Sequence, residues 1–140
     1  AAGGGGDPLR RLRRTLSAYV RFGLENPHEY LFLFVHGHSQ SAPDVLSAFE
    51  TQGTACYDKL RALCEQCAAA GLLRGDLDGA DETAQVLWAS IHGLIHLLNS
   101  AEGFPFRARR RLIQQQLAIL VAGIRRPEAP KPGHKKMHRD

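Results

Sequence analysis

The segment from residue 79 to residue 98 constrains the fold more than any other part of the chain. Its apolar residues fall mainly on one helical face, Leu87, Trp88, Ile91, Leu94, Ile95 and Leu98. A second, smaller apolar face is made of Val86, Ala89, Gly93 and Leu97. A helix that is apolar on nearly every side must be covered on every side. The segment therefore predicts a helix that packs against neighbours all round.

Helix start and stop signals divide the rest of the chain. Asp7-Pro8 is an N-cap acceptor followed by proline, and Asn26-Pro27-His28-Glu29 repeats that pattern with the capping-box spacing. Gly71 is a C-cap signal, and Asp78 is an N-cap signal for the apolar helix. No alternating strand pattern persists, so the fold class is predicted to be all-α with five helices. The five predicted helices run from Pro8 to near Gly23, from about Tyr30 to about His36, from after Ser41 to near Ala70, from after Asp78 to near Leu98, and from about Arg107 to near Ile124.

Length and composition predict one domain. The chain has 140 residues, of which 44% are hydrophobic, enough for a core of ordinary size. We expect that domain to span residues 7–126. The glycine-rich residues 1–6 are interpreted as a flexible linker or an expression remnant, and residues 127–140 as a disordered basic tail. Because the first residue is Ala1, we expect the natural chain to extend further upstream.

The charge does not predict a nucleic-acid surface. The formal net charge is +4, and residues 127–140 hold four cations and two acids, so half of it lies in the predicted tail. No apolar run approaches the roughly 18 to 20 residues that span a bilayer. Cys56, Cys64 and Cys67 are an odd number of cysteines, which disfavours a disulfide framework. A soluble protein of the cytoplasm, without a membrane partner, is expected.

Catalytic chemistry finds no support in the sequence. There is no recognisable Ser/His/Asp or Cys/His set, no glycine-rich phosphate loop and no paired-carboxylate motif. Cys56, Cys64 and Cys67 share the apolar stripe of the predicted third helix, which favours buried cysteines that act as small hydrophobic residues. We predict a protein that is not an enzyme and has no cofactor and no metal.

A short motif carries a family resemblance. Trp88-x-x-x-His92-Gly93 matches a signature of one subgroup of the C-terminal domains of TetR-type bacterial transcription regulators. The surrounding order is similar, with Asn26-Pro27 before an aromatic-rich short helix and Gly71-Leu72-Leu73-Arg74 before an acidic turn. The resemblance covers roughly Leu9 to Ile124. On these residues the chain resembles the ligand-binding and dimerisation domain of that subgroup.

The resemblance implies a dimeric repressor or activator, here predicted to be a repressor, that binds a small and largely apolar effector. Its last two helices are expected to form a four-helix bundle with those of a second copy. Family members carry a helix-turn-helix of roughly fifty residues ahead of this region. Nothing in this chain resembles it, so operator DNA is expected as a partner only through that missing N-terminal domain.

A dimer face is predicted on the last two helices. Ala89 and Gly93 lie one turn apart, which lets a neighbouring backbone approach closely, and the last helix is apolar over an unusually wide arc. The alternative is that these small residues admit a helix of the same subunit. The predicted interface consists of Val86, Ala89, Gly93, Leu97, Ile113, Gln116, Leu117, Leu120 and Ile124.

A ligand pocket is predicted among the first four helices. Ligand pockets combine apolar walls with a few polar anchors, and aromatic residues with polar tips project inward from these helices. The alternative, residue by residue, is ordinary core packing. The candidate ligand-binding residues are Tyr19, Phe22, Phe32, His36, Phe49, Tyr57, Trp88, His92 and His96.

Two other functions stay open at the level of sequence. His92 and His96 lie one turn apart at a spacing that also suits a metal ion, and with His36, His38 and the cysteines they allow a metal or redox sensor. Two histidines satisfied by side chains or water are the simpler interpretation. The third possibility is a purely structural helical dimer without a cavity.

Overall fold

A computed structural model describes residues 6–32, 34, 43–77 and 79–128, with the backbone alone described over 43–52. The described chain forms five helices, which confirms the predicted all-α class. They are α1 (Pro8–Glu25), α2 (Pro27–Leu31), α3 (Pro43–Ala69), α4 (Ala80–Ser100) and α5 (Arg109–Ile124). Among the described residues, no helix combines the length and the apolar character that a membrane span requires.

Helix α1 begins where its cap predicts. The backbone N–H of Leu9 donates to Asp7 Oδ1 at 3.2 Å, and proline occupies the first turn, where a missing N–H costs nothing. Its buried stripe then recurs at helical spacing and faces α3, α4 and α5. The stripe consists of Leu9, Leu12, Leu16, Val20 and Gly23.

The junction between α1 and α2 corrects one prediction. The Asn26 side chain makes no capping bond to α2, and its Nδ2 instead donates to the carbonyl of Phe22 at 3.0 Å. Helix α2 starts at Pro27 rather than at about Tyr30, because proline presets the backbone angle of a first helical turn. The predicted end of this helix near His36 lies outside the described residues.

The end of α3 is fastened to the end of α5. Gly71 terminates α3 with a φ of 68°, the left-handed conformation that its predicted capping role needs. Leu73 then forms an antiparallel bridge with Arg125, and the N–H of Arg74 donates to the carbonyl of Ile124 at 2.9 Å. The Leu-Leu-Arg sequence after α3 therefore joins two distant parts of the chain.

Helix α4 is the centre of the fold, but it is covered on one side only. It packs on α1, α3 and α5, and Leu87, Ile91 and Ile95 are buried in the core. The expectation of cover on every side is not met within a single chain. Val86 is 62% exposed and Leu97 49% exposed on the opposite side of the helix.

Helices α1 and α4 meet at Gly23. A Cβ at this position would lie 2.7 Å from Ile95 Cγ2, which is closer than real Cβ contacts allow. Asn99 Nδ2 also donates to the carbonyl of Gly23, at 3.0 Å. This close approach sets how α1 lies against α4, and so where the residues that follow along both helices meet.

Candidate functional site

An aromatic cluster lies where α1, α2, α3 and α4 meet. Two of its members, Trp88 and His92, are one turn apart on α4, with ring centroids 4.7 Å apart. Tyr19 of α1 lies 5.2 Å from the His92 ring, and Tyr57 of α3 lies 5.5 Å from the Trp88 ring. We call this group the aromatic cluster; it consists of Tyr19, Tyr30, Phe34, Tyr57, Trp88 and His92.

A chain of hydrogen bonds runs through the cluster and passes through both nitrogens of one histidine. The Tyr30 hydroxyl bonds to His92 Nδ1. His92 Nε2 lies 3.2 Å from the Tyr19 hydroxyl oxygen, which also accepts from Trp88 Nε1 at 3.4 Å. Because these residues belong to three different helices, the bonds tie α1, α2 and α4 together.

The cluster is polar but uncharged at neutral pH. Burial lowers the pKa of His92 to about 4, so its imidazole is neutral at pH 7. Burial raises the pKa of Tyr19 to about 12 and raises that of Tyr30 as well. Aromatic surface combined with neutral donors and acceptors suits a ligand that is mainly apolar and carries a few polar atoms.

Tyr57 connects the cluster to the start of α4. Its hydroxyl donates to Asp81 Oδ1 at 2.7 Å, in the first turn of that helix. The ring itself is half-buried and tilted at 59° to Trp88. Tyr57 therefore belongs to the cluster without joining the hydrogen-bond chain of His92.

Four of the predicted ligand-binding residues come together in this cluster: Tyr19, Tyr57, Trp88 and His92. Three others lie at more open positions, since Phe22 is 42% exposed, Phe32 is 39% exposed and His96 is exposed. His36 and the side chain of Phe49 lie outside the described residues. The ligand-binding role of all nine residues stays a prediction.

Sequence reasoning missed Tyr30 and Phe34. Tyr30 is 1% exposed, and its ring centroid lies 5.1 Å from that of Phe34. The aromatic segment after Pro27 offers two pairs at a spacing of four, Tyr30 with Phe34 and Phe32 with His36. Spacing alone does not decide which pair faces α4, because that depends on how α2 packs against the neighbouring helices.

The predicted dimer face divides into an exposed part and a buried part. Helix α4 presents an outer face, which we define as Val86, Ala89, Gly93 and Leu97, all exposed in the single chain. On α5, Ile113, Gln116 and Leu120 are half-buried. Leu117 and Ile124 are only 4% and 8% exposed. These two residues therefore lie inside the core of one subunit rather than on its surface.

Gln116 also fastens the two closing helices to each other. Its Nε2 donates to the carbonyl of Ser90 at 2.7 Å, and its Oε1 is buried without a partner among the described residues. This contact orders α5 against α4 within the subunit. The contact places Gln116 between the two helices, at the border of the outer face.

The contacts of His92 disfavour metal binding at this residue. Both ring nitrogens are engaged by tyrosine hydroxyls, whereas a histidine ligand needs one free lone pair. His96 is exposed. Over the described residues, no three His, Cys, Asp or Glu side chains converge, and His36 and His38 lie outside them.

The cysteines correct a further prediction. Cys64 and Cys67 are fully buried, as expected for small hydrophobic residues, and burial raises the pKa of Cys64 to about 12. Cys56 is exposed, so the apolar stripe of α3 does not continue to this position. All three are free thiols.

Comparison with known proteins supports the resemblance seen in the sequence. A family model described as "Tetracyclin repressor-like, C-terminal domain" matches residues 12–120, which is more than half of the chain. The matched range includes the whole aromatic cluster and the outer face. Neither the comparison with curated proteins nor that with solved structures gives a match.

Proposed function

Since the chain belongs to the family of tetracyclin repressor-like C-terminal domains, we propose that it is the effector-binding and dimerisation domain of a TetR-type transcription regulator, acting as a repressor in the cytoplasm. A small, largely apolar ligand binds at the aromatic cluster. Operator DNA is bound by an N-terminal helix-turn-helix that precedes this domain. The Trp88-x-x-x-His92-Gly93 motif is the basis for assigning the Trp-x-x-x-His-Gly subgroup.

The aromatic cluster is the observation that carries the effector-binding part of the proposal. Tyr19 and Trp88 are half-buried rather than closed off in the core, so a guest can reach their rings. The polar atoms beside those rings belong to neutral groups, which suits an effector without formal charge. A purely structural core has no need of two phenols and an imidazole bonded in series.

A ligand screen tests effector binding. Trp88 is the chain's one tryptophan, so its fluorescence reports binding at the cluster directly. We expect some members of a panel of small neutral aromatic compounds to quench or shift this emission and to raise the melting temperature. A ligand at a hundred times its Kd stabilises the native state by about 2.7 kcal/mol. A panel that changes neither signal would support the purely structural dimer instead.

The exposed outer face supports the dimerisation part of the proposal. Val86 and Leu97 are large apolar side chains that a single subunit exposes to water. The α4 and α5 helices of a second copy would cover them. In a regulator of this type, the helix-turn-helix domains of the two subunits must match two half-sites, whose spacing is set by the helical repeat of DNA. An effector that favours one relative placement of the subunits therefore controls DNA binding.

Substitution of Val86 by glutamate tests the dimer. In one subunit this exposed change alters stability by no more than about 0.5 kcal/mol, whereas in a symmetric dimer it buries two unpaired carboxylates. We expect the wild-type chain to have the mass of a dimer in light scattering and the Val86→Glu variant to have that of a monomer. Ala18→Glu, at an exposed position of α1, is the matched control and should stay dimeric. A monomeric wild-type chain, or a dimeric Val86→Glu variant, contradicts this interface.

A further inference from the structure

The hydrogen-bond chain of the cluster has one more donor proton than it can use. Trp88, Tyr19, Tyr30 and neutral His92 supply one proton each from their ring N–H and hydroxyl groups. Three contacts link them: Tyr30 with His92 Nδ1, His92 Nε2 with Tyr19, and Trp88 with Tyr19. One hydroxyl must therefore seek an acceptor outside these contacts.

The tautomer of His92 decides which hydroxyl is left over. If Nδ1 carries the proton, Tyr19 donates to Nε2 and Tyr30 must donate elsewhere. The acceptor available to Tyr30 is then the backbone carbonyl of His92 at 3.5 Å, longer than a normal O–H···O bond. If Nε2 carries the proton, Tyr30 donates to Nδ1, Nε2 donates to Tyr19, and the spare proton belongs to Tyr19.

Burial selects the second arrangement. Tyr30 is 1% exposed, so a hydroxyl proton without a good acceptor there bears the full cost of desolvation. Tyr19 is half-buried, so the side chain that carries the spare proton is partly accessible to a guest. In this arrangement the Tyr19 oxygen accepts from both Trp88 and His92, and the direction of its O–H bond is thereby restricted.

We propose that the Tyr19 hydroxyl donates a hydrogen bond to an acceptor oxygen of the effector, and that the effector is a neutral, ring-containing molecule with a carbonyl group. This inference rests on the proposed effector-binding function and adds the chemical class of the ligand. The donor is held in place before binding by Trp88 and His92, which lowers the cost of ordering it.

A neutral carbonyl fits the surroundings better than a carboxylate. The groups that shift the pKa of Tyr19, Tyr30 and His92 include no cationic side chain of the described residues. Arg61, which lowers the pKa of Tyr57, is already paired with Asp58 and Glu65. A carboxylate bound there would be a buried charge without a partner, which is costly. A ketone or ester oxygen needs one donor, and Tyr19 supplies it.

Two probes of nearly equal shape test the inference. Acetophenone carries a C=O group where α-methylstyrene carries C=CH₂, and Trp88 fluorescence reports the binding of each. We expect Tyr19→Phe to weaken acetophenone by about three- to tenfold, the usual worth of one hydrogen bond, and to leave α-methylstyrene unchanged. Ser17→Ala is the control, since it removes a hydroxyl from an exposed position of α1 outside the cluster. It should leave both affinities as in wild type.

Each outcome has a distinct meaning. If both probes bind and Tyr19→Phe weakens them equally, the assigned hydrogen bond is refuted while effector binding stands. If neither probe binds the wild-type chain, both this inference and the aromatic site proposed above are overturned.

Because Tyr19→Phe leaves two N–H groups without their acceptor and could disturb folding, the tautomer is measured in the wild-type chain as well. Nitrogen-15 NMR of His92 should show the proton on Nε2. A proton on Nδ1 contradicts the proposal.

Discussion

Acidification from pH 7 to pH 5 is expected to destabilise the chain through His92. The folded state keeps this imidazole neutral because burial lowers its pKa from 6.5 to about 4. The unfolded chain binds the proton near pH 6.5, so unfolding gains protons as the pH falls. The stability that the neutral imidazole contributes is fully present above pH 6.5, the pKa of His92 in the unfolded chain. It declines below that pH and is lost at about pH 4.

The two pKa values set the size of the effect. Without any screening by water, proton linkage lowers the free energy of unfolding by about 2 kcal/mol between pH 7 and pH 5. His92 is only half-buried, so water screens part of the cost of charging it. We therefore expect a loss of about 1 kcal/mol of unfolding free energy from this residue.

Urea unfolding of the wild type and of a His92→Gln variant measures this contribution, at one fixed protein concentration because association also adds stability. The other six histidines of the chain remain in both proteins, so their contributions cancel in the comparison. The variant should be less stable at pH 7, since both tyrosines lose their bonds to the ring, and should lose less stability on acidification. Parallel losses in the two proteins would show that His92 is charged as easily in the folded chain as in the unfolded one.

Two further predictions concern packing and thiols. Gly23→Ala should destabilise the chain by about 1 kcal/mol in urea unfolding, because a clash with the side chain of Ile95 outweighs the gain in helix propensity. The control is Gly53→Ala, whose added methyl group has nothing within 4 Å. This control should stabilise the chain by about 0.5–1 kcal/mol. An aromatic disulfide reagent should modify Cys56 in the native chain and reach Cys64 and Cys67 only after unfolding, because these two are buried with raised pKa values. Loss of stability in Gly53→Ala, or rapid native modification of all three thiols, would contradict the packing described here.

The helices could be predicted from the sequence because their signals are local. Asp7-Pro8 and Gly71 act within one turn of their own position, and the structure places them at a helix start and a helix end. The apolar stripe of α1 follows from its spacing alone. The capping box at Asn26 failed because the end of α1 competes for the same side chain, and a sequence window does not show that competition.

The aromatic cluster was predictable only in part. Trp88 and His92 belong to one helix and one motif, so their proximity follows from sequence spacing. The partners of His92 come from α1 and α2, and the choice of Tyr30 over Phe32 depends on how α2 packs against the neighbouring helices. The surface of α5 is a second case. Leu117 and Ile124 share an apolar arc with the predicted interface, but packing against α1 and α4 decides that these two are buried.

The bridge between Leu73 and Arg125 has a mechanical consequence. It clasps the connection that leaves α3, the helix of Tyr57, to the last turn of α5. Besides the backbone bonds, the Arg74 guanidinium donates to the carbonyl of Gly123 at 3.1 Å. A guest that displaced the end of α3 must drag the end of α5 along or break these bonds. Under the proposed function, an effector that shifts α3 would therefore be coupled to α5, and so to the second subunit, through the backbone of one loop.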